Sequence, residues 1–185
     1  MFWVEAGKFL GFLLTERGIE ANLDKCTTII GMRSPTNVNE VQQLTGHMIV
    51  LSRFLSAIGD KRYPYFKCLK KNNRFAWTSE CEEDFTKLKE YLASPPVLGK
   101  PVLGIPIHHY FAITDWAINS VLLQDQDKVQ KQVYFVSKVL QGPEARYQAI
   151  EKDTLVVVFA ARRLHHYFQS FTVIVMIDLP IRKVL

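Results

Sequence analysis

The sequence predicts a two-part chain of the α+β / α/β type: a β-hairpin and a run of helices, then a mixed β-sheet with one main helix. Three observations carry this. Up to Leu92, apolar residues recur at three- and four-residue steps, the period of amphipathic helices. From Ile107 they alternate every second residue, the rhythm of strands. Between the two regimes lie Pro95-Pro96 and the turn-rich stretch from Gly99 to Pro106. The boundary is therefore expected near residue 98, dividing the chain into 1–98 and 99–185.

Phe9-Leu-Gly-Phe-Leu-Leu-Thr15 is apolar and ends at Glu16-Arg17-Gly18, which reads as a hairpin strand and its turn. Leu23 to Met32 reads as a short helix stopped by Ser34-Pro35, because the residue before proline avoids helical backbone. A longer helix opens at Thr36 or Asn37, where Asn37-Val-Asn-Glu40 has capping-box spacing. Its apolar face is Val41, Leu44, Met48, Leu51 and Leu55. Lys61 to Lys71 is a further helix with Pro64 in its first turn. Ser79-Glu-Cys-Glu82 is a second box, opening a helix with the face Cys81, Phe85, Leu88 and Leu92. Strands follow near 106–114, 118–124, 132–137 and 171–177, around one helix from about 146 to 169.

Composition is that of an ordinary folded chain: 185 residues, 48% hydrophobic and 22% charged, enough to bury a core and too apolar for disorder. A net charge of +5 is compatible with a polyanionic partner. Cys26, Cys68 and Cys81 suit neither a zinc knuckle nor a disulfide framework and read as reduced thiols on helices. No apolar stretch approaches the roughly 18 residues of a membrane span. Met1-Phe-Trp-Val-Glu5 lacks the pattern of a signal peptide. The expectation is a soluble intracellular protein with no membrane partner and no small-molecule cofactor.

Several motifs in the first half follow one another in a specific order: Phe9-Leu-Gly-Phe12, Gly18-Ile-Glu20, Ser34-Pro-Thr-Asn-Val-Asn-Glu-Val41, Leu44-Thr-Gly46, Arg53-Phe-Leu55 and Phe75-Ala-Trp77. This order resembles the end of the palm and the thumb of reverse transcriptases from gypsy-type LTR retrotransposon polyproteins. Val136-Ser-Lys-Val-Leu-Gln141 and Phe159-Ala-Ala-Arg-Arg163 resemble plant elements in particular. The family's polymerase motif, Tyr-x-Asp-Asp, lies upstream of the matching region, and the sequence holds no Asp-Asp pair. Lys61, Arg62, Lys67, Lys70, Lys71 and Arg74 place six cations in fourteen residues, interleaved with Tyr63, Tyr65 and Phe66. Such a run either tracks phosphates, with rings available to stack, or forms a solvated helix edge with its aromatics turned to the core. Trp77, Phe75 and Phe85 read as core.

In the second half, Tyr110 to Gln124, Arg146 to Lys152 and Val173 to Pro180 resemble the ribonuclease-H-like region of the same polyproteins. The resemblance runs from about Lys8 to Leu185. The family's first strand reads T-D-A-S-D-x-x-I-G-A-V-L, and its first Asp binds Mg²⁺. Laid on Phe111 to Leu122, that Asp falls on Ala112 and the second, non-ligand Asp on Asp115. Glu151 matches the family ligand at the helix start, and Asp178 the ligand at a strand end. The fourth ligand falls past Leu185, so this ribonuclease-H-like part is expected to be truncated. On a continuous strand Asp115 would point to the face opposite position 112, so it is a poor substitute. Glu151 and Asp178 are thus vestigial catalytic and metal candidates, each with a plain structural alternative: a helix-start carboxylate and a turn former. His108-His109 and His165-His166 read as packing or surface groups.

A two-metal nuclease needs several carboxylates around Mg²⁺ ions about 4 Å apart. The resemblance implies Mg²⁺, but the donor set implies that it is not functionally bound. The expected function is a non-catalytic thumb-plus-tether module, part of a polyprotein that also supplies its partners. It would bind an RNA–DNA hybrid or duplex and reside in a cytoplasmic particle or the nucleus. The alternatives are a metal-dependent RNA–DNA hybrid ribonuclease linked to a polymerase, and an inactive remnant.

Overall fold

The protein is described here by a computed structural model covering residues 6–9, 12–15, 18–69 and 75–177; of residues 6–9, 12, 67 and 69 it describes the backbone alone. Its mixed helix-and-sheet architecture is the one expected.

The first sheet is antiparallel, in the order β1 (Ala6–Phe9), β2 (Phe12–Thr15), β3 (Gly18–Ala21) and β4 (Leu98–Gly99). The run read as one strand from Phe9 is thus two, with Phe9 opposite Phe12. Apolar continuity hid this break. Gly18 has φ +138°, and a Cβ there would meet the Leu98 carbonyl oxygen at 2.0 Å, so only glycine lets β4 close this sheet.

Asn22 caps α1 (Leu23–Gly31), its side chain accepting from the Asp24 amide. Asn37 caps α2 (Val38–Val50) by accepting from the Glu40 amide at 3.0 Å. The Glu40 carboxylate reaches one residue further back than expected, to the amide of Thr36 at 2.7 Å. Helix α3 (Ile58–Leu69) starts three residues before the expected Lys61, which moves Pro64 from the first turn into the helix body. Thr78, not Ser79, caps α4 (Ser79–Ala93), its hydroxyl accepting from the Cys81 amide. The apolar faces read from the sequence are buried: Val41, Leu44, Met48, Leu51, Leu55, Cys81, Phe85, Leu88 and Leu92 form one core with Cys26, Ile29, Phe54 and Tyr65. Trp77 is half-buried against it, stacked on Tyr65 at 5.6 Å and edge-on to Phe85 at 5.9 Å.

The second sheet has the order β7 (Val129–Val139), β6 (Ala117–Gln126), β5 (Ile107–Ile113), β8 (Val173–Val175). It is antiparallel except for the parallel β5–β8 pair. The single helix expected over 146–169 is three pieces: a 3₁₀ turn at Gly142–Arg146, α5 (Ala149–Arg163) and α6 (His165–Ser170). Leu164 (φ −119°, ψ 32°) leaves the helical region and is buried, so packing breaks the helix where local pattern shows nothing. α5 covers one face of the sheet through Val156, Leu155 and Phe159 against Ile118, Phe111 and Ile113. The other face meets α3, and Phe135 of β7 packs into the helical core.

Candidate functional site

Ala112, at the motif's first carboxylate position, lies in β5 directly across from Asn119 of β6. Strand alternation puts both on the face turned to α3. There Ala112 lines a small cavity of about 260 Å³ with Ser56, Ala57, Val121 and Phe135. Glu151 is the third residue of α5, on the other side of the sheet, and exposed. Its carboxylate accepts from the Gln148 amide at 2.7 Å, closing a capping box. That is the helix-start role open to it in the sequence. Asp178 lies outside the described residues.

Asp115 departs from expectation for a simple reason. β5 ends at Ile113, and Thr114-Asp115-Trp116 turn into β6, so strand parity does not govern where Asp115 points. It lines a cleft of about 670 Å³ with Asp60, Tyr147, Ala149 and Lys152, beside the start of α5. Glu151 is not part of that lining. Among the described residues no group of three or more His, Cys, Asp or Glu side chains is positioned to hold a metal ion. With no donor at Ala112 and the Glu151 carboxylate turned to its own helix cap, these donors do not fit a Mg²⁺ pair.

A polar constellation linking α3 to the sheet was not anticipated. At the start of α3, Asp60 accepts from Thr114 Oγ1 at 2.6 Å and from Asn119 Nδ2 at 2.5 Å. Asn119 Oδ1 accepts from Ser137, whose hydroxyl oxygen in turn accepts from the Gly59 amide at 2.8 Å. A Cβ on Gly59 would lie 2.6 Å from Ser137 Oγ and 2.9 Å from Ala117 Cβ, so glycine is what lets the helix approach. The chain joins α3 to the sheet across 54 to 78 residues of sequence. The one advance signal was that Asn119 stands where the motif has Gly.

Of the basic run, Lys61 and Arg62 are half-buried rather than on a solvated edge. Lys61 Nζ lies 4.6 Å from the Tyr91 ring centre, and burial lowers its pKa against the opposing pull of Asp84. Arg62 lies over Phe66 at 4.9 Å, and Tyr63 stacks on Trp116 at 4.4 Å. Lys70, Lys71 and Arg74, like the side chain of Lys67, fall outside the described residues. His109 is wholly buried between Phe111 and Phe168, whereas His108 on the other face has Nδ1 3.5 Å from Asp125. Cys26 and Cys81 are buried and Cys68 half-buried, all free thiols.

Known proteins share this architecture. The foamy viral protease-reverse transcriptase in complex with RNA/DNA hybrid superposes with a TM-score of 0.76 at 18% identity, over 97% of this chain and 25% of that one. The same enzyme in complex with dsDNA gives 0.74 at 17% identity, over 98% and 39%. At such identities the likeness shows the fold. In sequence, the chain is 27% identical over 168 residues to the Transposon Tf2-3 and Tf2-4 polyproteins of Schizosaccharomyces pombe (strain 972 / ATCC 24843). That alignment takes in 88% of this chain but spans only 12% of those polyproteins. Residues 77–175, over half the chain and reaching from the approach to α4 through β8, match the model of the RNase H-like domain found in reverse transcriptase, and the chain belongs to that family.

Proposed function

We propose that this chain is the thumb-plus-tether part of a gypsy-type retrotransposon polyprotein with plant-like character, binding RNA–DNA hybrid or duplex without cutting it. Residues 1–98 would be the end of palm and thumb, and 99–185 the ribonuclease-H-like tether. The observation that carries the non-catalytic reading is the pairing of Ala112, where a carboxylate is needed, with a Glu151 engaged in capping its own helix. The Asp60–Asn119–Ser137 chain supports a tether, because it fixes the first helical part against the sheet. The net charge of +5 and the cations from Lys61 to Arg74 support a polyanionic ligand. The foamy viral relatives held dsDNA and RNA/DNA hybrid. The remainder of the polyprotein is the natural partner, and a cytoplasmic particle or the nucleus the natural setting.

The test is binding and cleavage of a labelled RNA–DNA hybrid. Affinity should fall roughly tenfold or more as salt rises from about 50 to about 200 mM. No cleavage should follow with Mg²⁺ or Mn²⁺. Cleavage that Glu151→Gln abolishes would establish the hybrid ribonuclease instead, and absence of binding at low salt would point to an inactive remnant.

A further inference from the structure

Between α3 and the end of β7 runs an open groove of about 780 Å³, within the roughly 300–1,000 Å³ of ordinary ligand sites. One wall is aromatic. Tyr63 and Trp116 stack with centroids 4.4 Å apart and planes 19° apart, yet Trp116 keeps 48% of its surface exposed. An indole held by one partner and open to solvent is a ready stacking surface. Beside it, Arg62 lies over Phe66, with Nε buried and without a hydrogen-bond partner. Burial lowers the pKa of this guanidinium. Lys138, across the groove, is already paired with Glu144. Asp115 also lines the groove and presents an acceptor.

We propose that this groove holds one unpaired nucleotide of a single-stranded nucleic acid, its base on the open face of Trp116 and its phosphate against Arg62. Base–aromatic stacking beside a cation is the ordinary chemistry of single-strand binding. Asp115 suits an exocyclic amine of the base and disfavours a second phosphate at its position. A cationic peptide is disfavoured by the positive charge of Arg62. The site rests on the nucleic-acid-binding reading above but makes a narrower claim, since that reading concerns hybrid or duplex.

The experiment measures binding of a labelled short single-stranded oligonucleotide to the full chain, with the hybrid measured alongside. Trp116→Ala and Arg62→Ala should each weaken single-strand binding roughly tenfold or more, while Trp116→Phe retains most of it. Thermal melts establish that each variant is folded. Should a variant fail to fold, ultraviolet cross-linking of the oligonucleotide to the unaltered chain takes its place. The adduct is expected on the peptide bearing Trp116, and an adduct only elsewhere overturns the site. Unchanged single-strand affinity in folded Trp116→Ala and Arg62→Ala also overturns it, and retained hybrid binding then leaves the tether reading standing. Loss of all nucleic-acid binding by the unaltered chain removes both. A free mononucleotide that binds as tightly as the strand would make this a nucleotide pocket and overturn the single-strand assignment.

Discussion

At the scale of single residues, His109 shows how neighbours set chemistry. It sits in β5, fully buried, with neither ring nitrogen hydrogen-bonded and the rings of Phe111 and Phe168 around it. Burial disfavours the imidazolium and pulls its pKa down to about 4 from 6.5. The sign follows directly. Between those two values the unfolded chain holds the proton and the folded chain does not, so acid favours unfolding. Stability from this residue is complete above about 6.5 and drains away as pH falls to about 4, by about 3 kcal/mol at most. Thermal melts at pH 7 and pH 5 should show a fall in melting temperature that His109→Leu makes smaller. An equal fall in both proteins would remove His109 as the cause. His108, one residue away, faces the other side of the sheet near Asp125, so the adjacent pair divides between the two faces of the sheet.

At the scale of elements, one side chain fastens the segment that leads into the second sheet. Gln124 of β6 is fully buried, and its amide donates to the carbonyls of Val102 at 2.9 Å and Ile105 at 2.8 Å. Its oxygen accepts from the Val102 amide at 2.7 Å and from Gln126 at 2.6 Å. These bonds satisfy backbone groups of a segment that pairs with no strand there. Gln124→Leu keeps the bulk and removes the partners, so it should cost about 2–3 kcal/mol. The accompanying sign is faster hydrogen exchange at the Val102 amide; unchanged exchange would mean the segment is held some other way. The sequence indicates a strand near 118–124, but nothing local distinguishes a glutamine in its core position from any polar strand residue.

At the scale of the whole molecule, the decisive contact joins α3 to the second sheet. Asp60 and Asn119 are the centre of that contact, and Gly59 fits because it has no side chain to collide with Ser137. A double-mutant cycle of Asp60→Ala and Asn119→Ala should give a coupling energy of at least roughly 0.5 kcal/mol, each single change costing about 1–3 kcal/mol. Strictly additive losses would show that the two residues act independently and that the docking has another basis. With the groove beside Trp116 formed across this same contact, its loss should weaken single-strand binding as well. The sheet face that carries Ala112 and Asn119 is thus where the α3 end of the helical part meets the sheet. Ala112 lies beside Ser56 and Ala57 there, and Asn119 takes the place the motif gives to Gly.

What the sequence determined by itself is whatever depends on near neighbours. The faces of α2 and α4, the Asn37 cap of α2 and the alternation of β5 all follow from residues within a few positions. The helix face through Val41, Leu44 and Met48 was legible because one turn brings three- and four-residue neighbours together. The tertiary structure alone decided the rest. The break at Leu164, a buried residue, depends on packing that no local period encodes. Asp115 lies between the cleft at the start of α5 and the groove beside α3 because β5 stops at Ile113. The Asp60 chain and the Tyr63–Trp116 stack join residues more than fifty positions apart, where proximity comes from folding and not from spacing.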